Sequence, residues 1–198
     1  MAEAIRLVDV TYSRAEAQEQ AQRNLEAMNL DGLCDDPRRD FMAAVGSDLP
    51  PRAKLNHLKK STAKLSKLAM PFSACKSGCS YCCHISVMIC ESEAKALAKA
   101  SGRKMQKITE RPSLAIREKW HKVPCTFLKK GRCSVYEERP LACRMTFNMA
   151  DTPEQCNTDV PSKDSYVMLL NFQQLEHGFA QAFLNESWGD IRDFFPPA

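Results

Sequence analysis

Nine residues near the middle of the chain, CKSGCSYCC, hold four thiols: Cys75, Cys79, Cys82 and Cys83. No other feature restricts the fold as strongly, because four soft sulfur donors so close in sequence must either share a centre or be held apart. The whole chain has ten cysteines in 198 residues. Its first twenty residues, MAEAIRLVDVTYSRAEAQEQ, show no basic segment followed by an apolar one of the secretory type. Nor does any stretch approach the roughly 18 consecutive apolar residues of a membrane span. The expected location is therefore the cytoplasm, a reducing compartment in which structural disulfides are rare and clustered thiols serve as metal ligands.

Helix geometry limits how those thiols can be shared. On one continuous helix, Cys75, Cys79, Cys82 and Cys83 would lie on a single face. Cys75 and Cys82 would nonetheless stand ~10 Å apart along the axis, at about 1.5 Å per residue. Sulfurs around one tetrahedral zinc are only ~3.8 Å apart, given Zn–S bonds near 2.3 Å. The block must therefore fold back, with Gly78 the place for it, or its cysteines must serve different centres. Adjacent Cys82 and Cys83 point in different directions, which suits neighbouring sites.

A second group, Cys125, Cys133 and Cys143 with Cys156 further on, can complete the donor set. The stretch CTFLKKGRCSVY (125–136) predicts a β-hairpin turning at Lys129–Arg132, with Gly131 supplying the permissive backbone. Its strands would bring Cys125 and Cys133 together. All eight cysteines are candidate ligands, as two four-thiolate sites or one cluster with spare thiols. Lys76, Lys129, Lys130, Arg132, Arg139 and Arg144 could offset the charge of such a site. Cys34 reads as a bystander and Cys90 as a helix-boundary residue. His84 directly follows the cluster and could serve as a further ligand; His57, His121 and His177 read as surface or packing residues.

Around this centre the sequence predicts helices. Ser13 and Glu16 form a capping box for a helix over 13–29, with Gly32 past its end. DDPRRD (35–40) reads as a polar connection. Residues 52–69 form a second helix with an apolar seam of Leu55, Leu58, Leu65 and Leu68. Its basic stripe of Lys60, Lys64 and Lys67 reads as a solvated face, since a net charge of +4 does not argue for nucleic acid. Ile85, Val87 and Ile89 alternate as a short strand, followed by a helix over 91–100 with Cys90 and Glu93 at its start. Thr152-Pro153 signals another helix start, and a last helix spans 163–187 with Met168, Phe172, Leu175, Phe179 and Ala182 on its packing face and Phe183 beside them. The tail DFFPPA is expected to pack loosely. The fold class is mainly α, with a small, loop-rich cysteine-cluster core containing a short β-hairpin. Expected regions are 1–70 (N-terminal helices), 71–160 (the cysteine-cluster, metal-binding domain) and 161–198 (C-terminal helix and tail packing on the same core).

Three segments carry a family resemblance: CKSGCSYCC, ISVMICESEAKALA after it, and CTFLKKGRCSVYEERPLACR at 125–144. Together they resemble the YkgJ-like cysteine-cluster proteins, over about residues 72–157. The resemblance implies chelation of zinc or iron and no particular reaction. Some relatives are flagellin lysine N-methylases in longer chains, so a link to methyl transfer rests on analogy alone. Cys90 departs from the hydroxyl residue usual at that helix start. Glu137 or Glu138 is expected to pair with an arginine and hold the loop that presents Cys143.

Function is expected to be metal binding, in electron transfer, metal handling or sensing. An iron–sulfur cluster is preferred to zinc because the cysteines are irregularly spaced and histidine is scarce. A metal-dependent enzyme is the second reading, since Cys75, Cys79 and Cys82 match the spacing of radical S-adenosylmethionine enzymes. Only 115 mainly helical residues follow Cys83, too few for their barrel. A zinc-stapled module for a protein partner is the third. Neither nucleic acid nor a membrane is an expected partner.

Overall fold

The computed structural model describes residues 13–109, 118–161 and 164–197. Ser13 starts the first helix, α1 (Arg14–Met28), through a reciprocal cap. Its Oγ accepts from the Glu16 amide at 3.2 Å, and Glu16 Oε2 accepts from the Ser13 amide at 2.7 Å. Asn29, not Gly32, ends the helix in the left-handed region at φ 44°, a conformation asparagine tolerates better than most residues. The polar stretch at 35–40 is also more than a connection. Asp36 caps α2 (Pro37–Val45), accepting from the Arg38 amide at 2.9 Å, with Pro37 at the first helical position.

The second long helix, α3 (Pro51–Ala69), buries Leu55, Leu58, Leu65 and Ala69. Lys60, Lys64 and Lys67 are exposed, and Lys64 pairs with Asp40 on α2 at 2.7 Å, so the basic stripe is a solvated face. Past the cysteine block, β1 (Met88–Cys90) runs directly into α4 (Glu91–Ser101). The strand is shorter than the alternation predicts, because Val87 donates its amide to the Asp190 carboxylate instead of to a ladder. Gly102, at φ 69°, closes α4 in the left-handed region open to glycine.

The predicted hairpin forms from β2 (Leu128–Lys129) and β3 (Arg132–Cys133). Lys130 and Gly131 both take positive φ, 48° and 73°, the two-residue turn whose twist suits a hairpin. A short helix, α5 (Leu141–Met145), carries Cys143.

The C-terminal region departs most from expectation. Lys163 lies outside the described residues, and the helix α6 covers only Gln173–Ala182. Before it, the chain is extended: Met149 donates to Met168 O at 2.7 Å and Leu170 to Phe147 O at 3.0 Å. Those contacts use backbone groups that a helix would have consumed internally. Thr152-Pro153 opens a single 3-10 turn over Glu154–Cys156, with the Thr152 hydroxyl accepting from the Glu154 amide at 3.3 Å. After α6 comes an unforeseen strand, β4 (Trp188–Asp190), antiparallel to β1, and then α7 (Ile191–Phe194). The tail is not loose: Ile191, Phe194 and Phe195 are buried at 2%, 1% and 0% exposure.

Two apolar cores result. The larger joins α1, α2, α3, α5 and α6 through Phe41, Leu58, Leu65, Phe147, Phe172 and Phe179, among others. The smaller holds Val87, Ile89, Ala94, Leu97, Phe127, Val135, Ile191, Phe194 and Phe195. No helix among the described residues is long and apolar enough to cross a membrane.

Candidate metal centre

The block from Cys75 to Cys83 is not helical at its start. Gly78 takes φ 91°, and the Cys79 amide donates to Lys76 O at 3.0 Å, so the chain reverses between Cys75 and Cys79. A 3-10 turn at Tyr81–His84 then carries Cys82 and Cys83. Cys75 packs against the larger core, whereas Cys125, Cys133 and Cys143 pack against the smaller. Cysteines of the cluster thus pack against both cores.

The second group reaches the block through backbone. The Cys125 amide donates to Cys83 O at 2.7 Å, and Lys122 donates to His84 O at 2.8 Å. At the hairpin, Cys133 stands opposite Leu128. Cys125 receives a backbone hydrogen bond from Phe127, and Cys133 one from Val135, each two residues on. Amide donors aimed at sulfur in this way favour the thiolate over the thiol.

Electrostatics sorts the sulfurs further. Burial pushes the thiols of Cys75, Cys125, Cys133 and Cys143 up, and Cys156 up to about 12. Cys82 is held down to about 7, first by its hydrogen bond with Cys83 and also by the positive Arg139. Cys83 moves the opposite way, as the partner in that bond. Cys79 and Cys82 both act on Cys75 and on Cys156. Cys125 and Cys143 act on Cys83, and Cys125 and Cys133 act on Cys143. Cys82 also acts on Cys83, Cys133 and Cys143. Geometry also crosses the two groups of the sequence: Asn148 links Cys75 to Cys156, and a backbone bond ties Cys125 to Cys83. Among the described residues, no three His, Cys, Asp or Glu side chains are gathered closely enough to hold a metal ion as they stand.

A polar frame surrounds these sulfurs. Buried Asn148 donates its amide N–H to Cys75 Sγ at 3.5 Å and its side-chain Nδ2 to Cys156 Sγ at 3.3 Å. Sequence reasoning missed Asn148, although one amide within the apolar run MTFNMA is a visible signal. Arg144, rather than pairing with Glu137 or Glu138, holds the 136–140 loop by its carbonyls, donating to Arg139 O at 2.8 Å and to Glu137 O. Glu138 pairs instead with Lys59 of α3 at 2.6 Å. Fully buried Glu93 accepts from the amides of Leu141 and Cys90, at 2.7 and 3.4 Å, joining the starts of α5 and α4. Its carboxyl is pushed up to about 7 by burial.

Arg139 stacks over the Tyr136 ring at 4.3 Å. Its Nε is buried without a hydrogen-bond partner among the described residues. A buried cationic N–H beside sulfurs fits an anionic acceptor such as a metal-bound thiolate.

The remaining candidates stay apart. Cys34 is exposed, and Cys90 is buried at the start of α4. His84 places Nδ1 at 3.2 Å from Ser80 O, and His57, His121 and His177 are exposed.

No curated protein and no solved structure matches the chain. A family model does match, over residues 74–163, a stretch that begins beside Cys75 and takes in all eight clustered cysteines. That model is the CxxCxxCC family, described as a putative zinc- or iron-chelating domain, and residues 74–163 of the chain are similar to it.

Proposed function

We propose that the eight cysteines hold an iron–sulfur centre, and that the protein acts through that centre in the cytoplasm. The contacts that tie the second cysteine group to the first, Cys125 to Cys83 by backbone and Cys156 to Cys75 through Asn148, carry this reading. Thiolates are the donors that iron–sulfur clusters require, and scarce histidine leaves few competing ligands. Cys75, Cys79, Cys82 and Cys156 form one set of four, and Cys83, Cys125, Cys133 and Cys143 the other. Amide donors at Cys125 and Cys133, Asn148 at Cys75 and Cys156, and the buried Arg139 Nε–H supply the hydrogen bonds that tune such a centre. When bound, a cluster would supply one-electron redox chemistry.

Anaerobic purification followed by iron, zinc and acid-labile sulfide analysis with an absorption spectrum tests this. Iron and sulfide in proportion, with visible absorption, is the expected result. Colourless protein with stoichiometric zinc sinks the cluster and leaves a zinc-stapled module, which the same sulfurs and amide donors also suit.

A further inference from the structure

We infer that the buried Asp190–Arg192 pair positions the segments flanking the metal centre, so that the metal-binding unit extends to residue 195 rather than ending with the matched stretch. This rests on the proposed thiolate site. Both side chains are 0% exposed and joined at 2.8 Å. Arg192 Nη1 donates to Trp120 O at 2.9 Å and Val123 O at 2.7 Å, and Nη2 donates to Ile85 O. Asp190 Oδ2 accepts from the Val87 amide and the Ser86 hydroxyl, both at 2.8 Å.

Those acceptors and donors belong to just two segments. Ile85–Val87 leaves the turn that carries Cys82 and Cys83, and Trp120–Val123 leads into Cys125. The same segments meet directly through the Cys125–Cys83 and Lys122–His84 backbone bonds. One guanidinium therefore sets the spacing of the two strands of chain that deliver Cys83 and Cys125. A planar group with five donors in a fixed fork can do this, whereas an ammonium on a flexible stem cannot hold three carbonyls and a carboxylate at once. Arg103 repeats the theme on the far side of Cys125, donating to Pro196 O at 2.8 Å and to Thr126 O at 3.3 Å. Capping α7 alone would use only the Asp190 Oδ1 contact to the Arg192 amide.

Titration of the full chain with Co(II), read by its thiolate-to-cobalt absorption, tests the inference. Arg192→Lys keeps the charge beside Asp190 but removes the fork. Its Co(II) affinity should fall by about tenfold or more, with an altered absorption band, as for other residues that orient ligands. Leu175→Ala in the larger core, even if it lowers the melting temperature as much, should leave affinity and spectrum unchanged. Equal affinity and spectrum in Arg192→Lys and wild type would overturn the inference. A wild-type chain that binds no Co(II), zinc or iron would instead overturn the proposed function.

Hydrogen exchange on the wild type covers the case in which Arg192→Lys does not fold. Positioning is reciprocal, so Co(II) should slow exchange at the Ile191 and Phe195 amides by about tenfold, although that segment has no cysteine. Protection confined to the cysteine-bearing segments would overturn the inference.

Discussion

The two cores each pack against cysteines of the cluster and are built differently. The larger is made of helices whose faces are sorted by sequence period, with Phe41, Leu58 and Leu65 at 0%, 0% and 1% exposure. Such a core stands on apolar burial, which stabilises by about 25 cal/mol per Å² removed from water. The smaller joins one face of α4 to two-residue strands and a four-residue helix, beside the fully buried Asp190–Arg192 pair. A buried ion pair contributes little net stability, because desolvation offsets its attraction. The smaller core is therefore organised by hydrogen bonds to loops, and it also carries three of the clustered cysteines. On the proposed function, a bound metal would add to what apolar area supplies there.

Ligand substitutions give the largest expected contrast. Cys79→Ser and Cys133→Ser should each lower metal content to a fraction of wild type, while Cys34→Ser leaves it intact, as metal analysis would show. If both of the first two retain full metal, the two-set arrangement fails. Metal removal comes next. At free metal a thousandfold above the dissociation constant, binding stabilises by about 4 kcal/mol. Chelation should thus lower the unfolding free energy by about that amount and raise hydrogen exchange in the smaller core before α1–α3. Uniform loss across both cores would erase the contrast drawn above.

Glu93 offers a contrast in pH. Its folded pKa of about 7 lies above its ordinary 4.5, so the folded state binds the extra proton between them. The stability of the metal-free protein should then fall as pH rises through that window, by about 3 kcal/mol in total, and flatten above it. Denaturant melts at several pH values check this, and Glu93→Gln should remove the slope. The smallest effect belongs to the outer helix. Ser13→Ala should cost about 1 kcal/mol through the lost cap and leave metal affinity unchanged.

Local signals were legible wherever a few neighbouring residues decide the conformation. The Ser13–Glu16 box, the reversal at Gly78, the Lys130-Gly131 turn and the start of α4 at Cys90 all follow from caps or positive φ. Helix α6 was read too long because its apolar spacing continues upstream, where backbone pairing with 147–149 wins. The tail was misread because Phe194 and Phe195 are buried by the distant residues Phe127 and Val87, not by a periodic pattern of their own.

The amino-acid sequence by itself determined that this is a mainly helical chain with clustered thiols, since donor chemistry and helix period are local properties. Tertiary structure alone decided that Asn148 bridges Cys75 and Cys156 and that the Cys125 amide meets Cys83 O, contacts that cross the groups the sequence suggests. It also decided that Asp190 and Arg192, over a hundred residues from Cys83, bind the Ile85–Val87 segment that follows it. The reason is physical: a buried charge must find partners wherever the chain supplies carbonyls and amides, and sequence distance does not enter that requirement.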